Sequence, residues 1–230
     1  LRYNITILGH MRTEPRYGRG GAQLSSFEYS KLDQTLGEFE GGAADADEMW
    51  ERIDYFLSRV VPVAESNKVQ IACHPQDPGI GGNLYRGVAR VMGTVEGLKK
   101  FISMHESPYH GLNFCQGTVS EMLESPGEEI FDVIRYFGER NKIFNVHFRN
   151  IKGGLLDFVE VFPDEGDINM LDAIKMYRDV GYKYMLMPDH VPGLSLKSDD
   201  ENAHWGSSAR RVGFAYCYGY INAALQTIAK

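Results

Sequence analysis

Four residues whose side chains can bind metal ions recur along the chain at nearly even intervals, each directly after a short apolar run. In chain order they are His74, Cys115, His147 and Asp189, separated by 41, 32 and 42 residues. These separations are about the length of one strand–helix–strand repeat, and a β/α barrel carries its chemistry at the C-terminal ends of its strands. The spacing therefore predicts that two imidazoles, a thiolate and a carboxylate meet around one ion.

Each of these residues has an ordinary structural interpretation when it is considered alone. A histidine at a strand end, such as His74 or His147, is commonly a hydrogen-bonding residue of the core. Cys115 alone would be a small buried hydrophobe, and Asp189 alone would cap a helix or a turn. The joint pattern favours metal binding. A mixed set of nitrogen, sulfur and oxygen donors suits Mn(II), Fe(II), Co(II) or Zn(II), because Mg(II) and Ca(II) rarely bind a thiolate.

The elements that must position these residues follow an alternating pattern. Short apolar segments predict buried parallel strands at Tyr3–Leu8, Val69–Cys73, Gly111–Cys115, Lys142–Phe148 and Tyr182–Met187. Residues with helical periodicity predict helices at Ala46–Ser66, Thr94–Met104, Gly127–Gly138, Asp167–Val180 and Ser207–Ala229. This order predicts an α/β fold with a parallel sheet.

The number of predicted strands matches only part of a complete barrel. A (β/α)8 TIM barrel has eight strands, and five are predicted here. We therefore expect residues 1–230 to be a single domain that forms the last five βα units of such a barrel. About 100 further residues upstream would supply the other three units.

Two polar segments lie where a barrel would have its mouth. Arg12–Ser26 is rich in glycine and arginine and follows the first predicted strand, and Ser195–Ser208 follows the last one. We predict that the first is a mobile loop and the second a further loop, both over the mouth, with an ordinary surface loop as the alternative for each.

The composition excludes several classes of protein. The chain of 230 residues has a net charge of −7 and 43% hydrophobic residues, which is typical of a soluble globular domain and argues against nucleic-acid or anionic-membrane partners. No apolar run approaches the roughly 20 residues that cross a bilayer. The three widely spaced cysteines favour a reducing compartment. We expect a cytoplasmic protein that forms homo-oligomers.

Five motifs, taken in order, resemble those of the mannonate dehydratase family: HPQDPG with NLYRGV, HGLNFCQGT, VHFRN, FVEVF with GDINM, and MPDH. The resemblance covers nearly the whole chain. It implies a barrel related to xylose-isomerase-like barrels. It also implies that the chain dehydrates D-mannonate to 2-keto-3-deoxy-D-gluconate and uses Mn(II) for this reaction. Fe(II) and Co(II) are the alternative ions. It also implies metal binding by His74, Cys115, His147 and Asp189, and catalysis by His190.

The chain departs from the family pattern at several positions. The usual HPDDP is HPQDP here, with Gln76, and RPDHG is MPDHV, with Met187 and Val191. Pro163 stands where a histidine is common. These changes affect which aldonate the chain would hold and how efficiently it would turn over.

The family's catalytic tyrosine has no secure match in this sequence. Trp205 is nearest in register, whereas Tyr216 and Tyr218 lie in the last predicted helix.

Dehydration of an aldonate gives the remaining candidates their roles. The reaction removes a proton next to a carboxylate and expels a hydroxyl, so it needs a metal ion to stabilise the enediolate and an acid and a base. His190 directly follows Asp189 and would serve as one of these groups, or else would hold Asp189 in place. Candidates for substrate binding, each also compatible with a structural role, are Arg12, Arg86, Arg149, Asn150 and Glu160.

Two other functions remain open at this point. The first is a sugar isomerase or epimerase on the same barrel, although such enzymes use more carboxylate ligands and no thiolate. The second is a non-catalytic protein that binds acid sugars, which the departures at Met187 and Pro163 would favour.

Overall fold

The computed structural model describes residues 2–3, 11–33, 35–194 and 208–228, in which strands and helices alternate. The strands are β1 (Arg2–Tyr3), β2 (Arg16–Tyr17), β3 (Gln23–Leu24), β4 (Ser26–Glu28), β5 (Ile71–Cys73), β6 (Leu84–Tyr85), β7 (Val88–Ala89), β8 (His110–Cys115), β9 (Ile143–His147), β10 (Asn150–Gly154), β11 (Asp157–Val161) and β12 (Leu186–Met187). The α-helices are α1 (Ala46–Ser66), α2 (Val95–Ser103), α3 (Gln116–Ser120), α4 (Pro126–Glu139), α5 (Met170–Asp179) and α6 (Ser208–Ile228).

The main sheet has five strands in the order β1-β5-β8-β9-β12, and every neighbouring pair is parallel. The strand order therefore follows the chain order, as it does in a β/α barrel. β5 and β8 are buried along their whole length because helices cover the sheet. The predicted α/β fold with a parallel sheet is confirmed. Of the predicted strand Tyr3–Leu8, residues 4–8 lie outside the described residues.

Local capping signals fix where the helices begin. The Asp45 side chain accepts from the backbone N–H of Glu48, whose own side chain accepts from the Asp45 N–H, so a complete capping box starts α1 at the predicted residue. Thr94 caps α2 as predicted. Asn169 caps α5, which begins three residues later than predicted because the Asn169 oxygen accepts from the N–H groups that follow it.

The largest apolar cluster lies between the main sheet and helices α1, α2, α4, α5 and α6. Three of its rings, Phe101, Phe114 and Phe137, are fully buried. Burial of one such side chain contributes about 1.5–3 kcal/mol to the free energy of unfolding. This packing holds the C-terminal ends of β5, β8, β9 and β12 at one edge of the sheet. In the described part of the chain, no helix has both the length and the apolar character to cross a membrane.

A second, antiparallel sheet of β10, β11 and β4 was not predicted from the sequence. It has its own small core, in which the rings of Phe27 and Phe158 stack with centroids 5.5 Å apart. Residues 12–26, predicted to form a mobile loop over the mouth, contain the short paired strands β2 and β3 and the first residue of β4. The second predicted loop, apart from Ser208 at the start of α6, lies outside the described residues.

Candidate metal centre and its charged neighbours

Four strand ends bring the predicted ligand residues together. Cys115 and His147 are the last residues of β8 and β9 and are partners in the parallel register, and Met187 of β12 pairs with His147. One ligand atom from each of His74, Cys115, His147 and Asp189 lies within 4.8 Å of the others. The convergence arises because parallel strands place their C-terminal ends at one edge of the sheet.

The backbone fixes the orientation of the His74 ring. Its Nδ1 lies 2.7 Å from the carbonyl oxygen of Pro75, an acceptor that requires an N–H at this position. The proton therefore resides on Nδ1, and Nε2 presents a lone pair. Nε2 is buried and has no hydrogen-bond partner among the residues that the structure describes. A buried acceptor without a donor is costly, and a cation next to Nε2 would remove that cost.

The His147 ring lies between two polar side chains. Its Nδ1 is 3.0 Å from Oδ2 of Asp189, and its Nε2 is 3.2 Å from Nδ2 of Asn113. Burial lowers the pKa of His147, but the contacts with Asp189 and Cys115 outweigh burial and raise the pKa to about 9. For Asp189, burial alone would raise the pKa, but His147, His190 and Arg149 outweigh burial and lower the pKa below its ordinary range.

The Cys115 sulfur is fully buried, and its surroundings favour the thiolate. Burial alone would raise the pKa of the thiol, but the charge of Arg149 and the contacts with His147 and His74 lower it well below the ordinary value. The Thr118 hydroxyl lies 3.2 Å from the sulfur. A buried thiolate, two imidazoles and a carboxylate form a donor set that fits a divalent transition ion.

A second cluster adjoins the first one. It contains Asp77, Glu160 and His190, whose polar atoms also lie within 4.8 Å of one another. Nδ1 of His190 is 3.1 Å from Oε1 of Glu160, and Nε2 of the same ring is 3.7 Å from Oδ2 of Asp189. The imidazole of His190 therefore lies between the carboxylate of Glu160 and the candidate metal ligands.

Two arginines balance the negative charge of this second cluster. Nη2 of Arg12 is 2.7 Å from Oδ1 of Asp77 and also contacts Glu160. Nη2 of Arg149 donates to the other oxygen of Asp77 at 2.9 Å, and its Nη1 donates to Glu121 at 2.9 Å. Burial alone would raise the pKa of Asp77, but Arg12 and Arg149 lower it well below its ordinary value.

The carboxyl groups of this network do not have the same pKa shifts. The pKa of Glu121 is raised well above its ordinary value, first by burial and then by the charge of Asp77. In Glu160 burial acts in the same direction, but His190, Arg12 and Arg149 outweigh it and lower the pKa. The side chains of both residues are essentially inaccessible. The network therefore combines an acid that favours its neutral form with carboxylates that favour their charged form.

The chain next to Cys115 is shaped to admit Arg149. A Cβ atom added at Gly117 would lie 2.5 Å from Cγ and 2.6 Å from both Cζ and Nη1 of Arg149. Glycine at position 117 thus lets the guanidinium lie across the start of α3, where it reaches Thr118 and Glu121. The CQG sequence supplies both a candidate ligand and the space for this arginine.

The structure places three of the five predicted substrate-binding residues, Arg12, Arg149 and Glu160, beside the candidate metal ligands. Arg86 does not join them. Its guanidinium donates to the carbonyl oxygens of Gly37 and Glu38 and lies over the ring of Phe39, 4.1 Å from its centroid. We therefore assign Arg86 a structural role in a surface segment.

Asn150 also has a structural position. Its Nδ2 donates to the carbonyl oxygens of Pro163 and Ile168, each at 2.9 Å, and its Oδ1 accepts from the N–H groups of Ile151 and Ile168. These four bonds use the two donors and two lone pairs of the amide. Asn150, the first residue of β10, therefore holds the turn that precedes α5.

Sequence reasoning missed four residues that the structure brings to the site: Asn113, Asp77, Thr118 and Glu121. Glu121 carries no usable signal, because its burial becomes evident only in the structure. Asp77 lies in the HPQDP motif beside a predicted ligand and could have been included on that ground. Asn113 and Thr118 carry no comparable signal.

One family model matches nearly the whole chain. The family model for D-mannonate dehydratase (UxuA) matches residues 7–230. The chain belongs to the D-mannonate dehydratase family. The predicted resemblance is thereby confirmed.

Curated relatives in this family are similar over most of the chain. The mannonate dehydratase of Endomicrobium trichonymphae is 31% identical over 182 residues, and that of Thermotoga petrophila is 30% identical over 206 residues. These matches cover 77% and 88% of this chain but 47% and 55% of the relatives. The chain thus spans about half the length of the curated relatives it matches.

Solved structures support the fold. The crystal structure of mannonate dehydratase from Streptococcus suis serotype 2 matches all of this chain and 66% of its own chain, with a TM-score of 0.79 at 24% identity. A xylose isomerase domain protein from Planctomyces limnophilus matches 81% of this chain and 58% of its own, with a TM-score of 0.56 at 12% identity. The five parallel strands thus belong to a fold shared with xylose-isomerase-like barrels.

The departures from the family pattern have structural positions here. The Gln76 side chain accepts from the backbone N–H of Met92 at 2.8 Å, so it fixes the loop after His74. Val191 is buried, and the Pro163 carbonyl accepts from Asn150. Met187 is half-buried at the end of β12, directly beside the candidate metal ligands.

Tyr216 and Tyr218 of α6 were the candidates for the catalytic tyrosine that the family resemblance implies, and neither lies at the metal cluster. The Tyr216 hydroxyl donates to Asp164 at 2.8 Å and accepts from Arg19, and Tyr218 is exposed. Trp205 lies outside the described residues.

Proposed function

We propose that this chain binds a divalent transition ion, Mn(II) by preference, and catalyses the dehydration of a sugar acid. The proposed reaction converts D-mannonate, or a related aldonate, to its 2-keto-3-deoxy acid. The observation that carries the proposal is the convergence of His74, Cys115, His147 and Asp189 beside His190 in a chain of the D-mannonate dehydratase family. The buried, unpartnered Nε2 of His74 supports a cation at this point. The three cysteines are buried free thiols, which supports a location in a reducing cytoplasm.

The candidate ligands and their neighbours have separate tasks in this proposal. An ion bound to the four ligand residues supplies Lewis-acid stabilisation of the charge that develops on the substrate carboxylate. Arg12 retains 15% of its side-chain exposure and can reach a substrate, whereas Arg149 retains 4% and acts by holding Asp77 and Glu121 in place. A planar guanidinium binds carboxylate groups through two parallel hydrogen bonds.

His190 carries one of the two proton transfers in the proposed reaction. Glu160 accepts the Nδ1–H of the His190 ring, which leaves Nε2 on the side of Asp189 and the ion. An imidazole held in this way can exchange a proton with a substrate group that lies next to the metal. In this proposal the role of Glu160 is to fix the ring and its tautomer rather than to bind the substrate.

An aldonate panel tests the proposal. The protein is incubated with Mn(II) and with C6 aldonates that differ at C2 and C3, and formation of 2-keto-3-deoxy acid is measured. A dehydratase produces the keto acid from at least one of them. Formation of an isomeric sugar from an aldose or ketose control would indicate an isomerase or epimerase instead. Saturable binding without any product would indicate a non-catalytic acid-sugar protein.

A further inference from the structure

Two asparagines lie directly behind the candidate ligands on neighbouring strands. Asn113 of β8 and Asn145 of β9 are partners in the register, two residues before the partners Cys115 and His147. Side chains alternate along a strand, so each asparagine faces the same side as the ligand that follows it. The register shifts between Leu112 and Asn113. Leu112 pairs with Ile143, whereas Asn113 pairs with Asn145, so the shift brings both the asparagine pair and the ligand pair into alignment.

Contacts join this pair to the His147 ring. Nδ2 of Asn113 lies 3.2 Å from Nε2 of His147, and Nδ2 of Asn145 donates to Oδ1 of Asn113. Asn113 is fully buried, and Asn145 is half-buried. The amide of Asn113 is therefore held between the imidazole and a second amide, away from bulk water.

The two candidate histidine ligands thus differ in what orients them. The backbone carbonyl of Pro75 fixes the His74 ring, and a carbonyl can only accept a hydrogen bond. The His147 ring contacts an amide side chain, which offers either an acceptor or a donor. Nδ1 of His147 is the nitrogen next to Asp189. A neutral imidazole that binds an ion through Nδ1 carries its proton on Nε2, so the atom facing Nε2 must then accept.

Rotation of both amides meets this requirement. If the amide of Asn113 turns over, Oδ1 accepts from Nε2–H and its NH2 group points to Asn145, whose own amide turns in the same way and presents its oxygen. The chain of hydrogen bonds is complete in both directions. The asparagine pair can therefore satisfy His147 whether Nε2 is a donor or an acceptor.

We propose that Asn113 is a positioning residue for His147 and that Asn145 sets the direction of its amide, so that the pair supports the ring both with and without the ion. This inference rests on the proposed metal centre. It assigns the asparagines no contact with substrate. Partners that accept from the second nitrogen of a metal-binding histidine typically change metal affinity by about 10–100-fold when they are removed.

Mn(II) affinity, measured by calorimetry without substrate, tests the inference. Asn113→Leu keeps a similar volume and removes both polar atoms, and we expect it to weaken Mn(II) binding by about 10–100-fold. Asn113→Asp keeps an acceptor toward Nε2–H, so we expect its affinity to stay close to that of the wild type. The visible spectrum of the Co(II)-loaded protein should change in the leucine variant and be retained in the aspartate variant.

Asn169→Ala is the control, because it removes an asparagine side chain that caps the start of α5 and touches none of the candidate ligands. We expect it to lower the melting temperature without changing Mn(II) affinity. If Asn113→Leu does not fold, Asn113→Ser replaces it with the same expectation. Wild-type affinity in the folded leucine or serine variant, or equally weak binding in Asn113→Asp, would overturn the positioning role. Absence of Mn(II) binding by the wild-type protein would instead overturn the proposed metal centre and this inference with it.

Discussion

Oε1 of Glu160 lies 3.1 Å from Nδ1 of His190, although one residue lies on the antiparallel sheet and the other follows a strand of the parallel sheet. Glu160 is on β11 of the antiparallel sheet, and His190 follows β12 of the parallel sheet. His190 is also the residue after Asp189, and its backbone has a φ of 37°, a conformation that is rare for residues other than glycine. The backbone thus turns sharply between a candidate metal ligand and a candidate proton-transfer group, and the carboxylate of Glu160 holds the ring in that position.

The first prediction separates metal binding from turnover. His190→Asn removes the imidazole and leaves the four candidate ligands intact, so we expect Mn(II) affinity to be retained and kcat to fall by about 10²–10⁴-fold. The measurements are calorimetry and keto-acid formation. His105→Asn is the matched control, since His105 is on the surface and pairs with Asp54, and it should keep full activity. Loss of bound Mn(II) in the His190 variant would show that His190 serves the ion directly.

The second prediction concerns the thiolate. Cys115→Ala removes the candidate ligand that most favours a transition ion. Loss of a residue that only hydrogen-bonds to a metal ligand lowers metal affinity by about 10–100-fold, and we expect a larger fall in Mn(II) affinity here. Cys217→Ala is the control, because Cys217 is also a buried free thiol but lies in α6. Equal Mn(II) affinities in the two variants, by calorimetry, would contradict the assignment of Cys115.

The third prediction uses the close approach of Gly117 to Arg149. Gly117→Ala introduces a methyl group into space that the guanidinium occupies, and overpacking of this kind costs about 1–3 kcal/mol in the free energy of unfolding. Gly219→Ala is the matched control, since a Cβ atom there meets nothing within 4 Å in helix α6. We expect this control to gain about 0.5–1 kcal/mol. Urea denaturation measures both changes, and a neutral effect of Gly117→Ala would show that Arg149 can move at little cost.

The fourth prediction concerns pH and His110, which lies away from the metal cluster. Burial lowers the pKa of His110, and the charge of Lys142 acts in the same direction, whereas the hydrogen bond to the Phe101 carbonyl opposes them. In the unfolded chain the pKa returns to about 6.5. As the pH falls below that value, the unfolded state binds a proton that the folded state still excludes, so stability is full above pH 6.5 and declines below it.

Replacement of His110 by glutamine tests this sign. The amide keeps a donor for the Phe101 carbonyl and does not titrate, so the free energy of unfolding should fall less steeply between about pH 6.5 and 5 than in the wild type. One proton accounts for a slope of at most about 1.4 kcal/mol per pH unit. Identical slopes in the two proteins, measured by denaturation at several pH values, would show that His110 does not contribute.

Local signals were sufficient for elements whose determinants are close in sequence. The predicted and observed bounds of α1 coincide because the Asp45 capping box and a regular apolar face both lie within the segment. Helix α3 was missed because its five residues, QGTVS, have neither length nor periodicity. The pairing of β4 with β11 was missed because more than a hundred residues separate the two strands, and a pairing of this kind leaves no local pattern.

The candidate site shows the same division. The approach of His74, Cys115, His147 and Asp189 to one another could be predicted, because it depends on strand ends that a regular alternation places at one edge. The contacts of Arg12 and Arg149 with Asp77, Glu121 and Glu160 could not, because they depend on which carboxylate each guanidinium reaches once five separate segments have packed. For Arg86, likewise, the family motif gave no indication that its guanidinium donates to local carbonyl groups.

The division of the site between the two sheets separates two kinds of evolutionary change. The candidate ligands end strands that pack into the main core, so their replacement endangers the ion and the packing together. β4 and β11 pack mainly on their own small cluster around Phe27 and Phe158. We therefore expect this cover to tolerate drift at positions other than Glu160, which holds His190, while the ion-binding edge stays constant. A lineage could acquire a new acid-sugar preference by remodelling the cover alone.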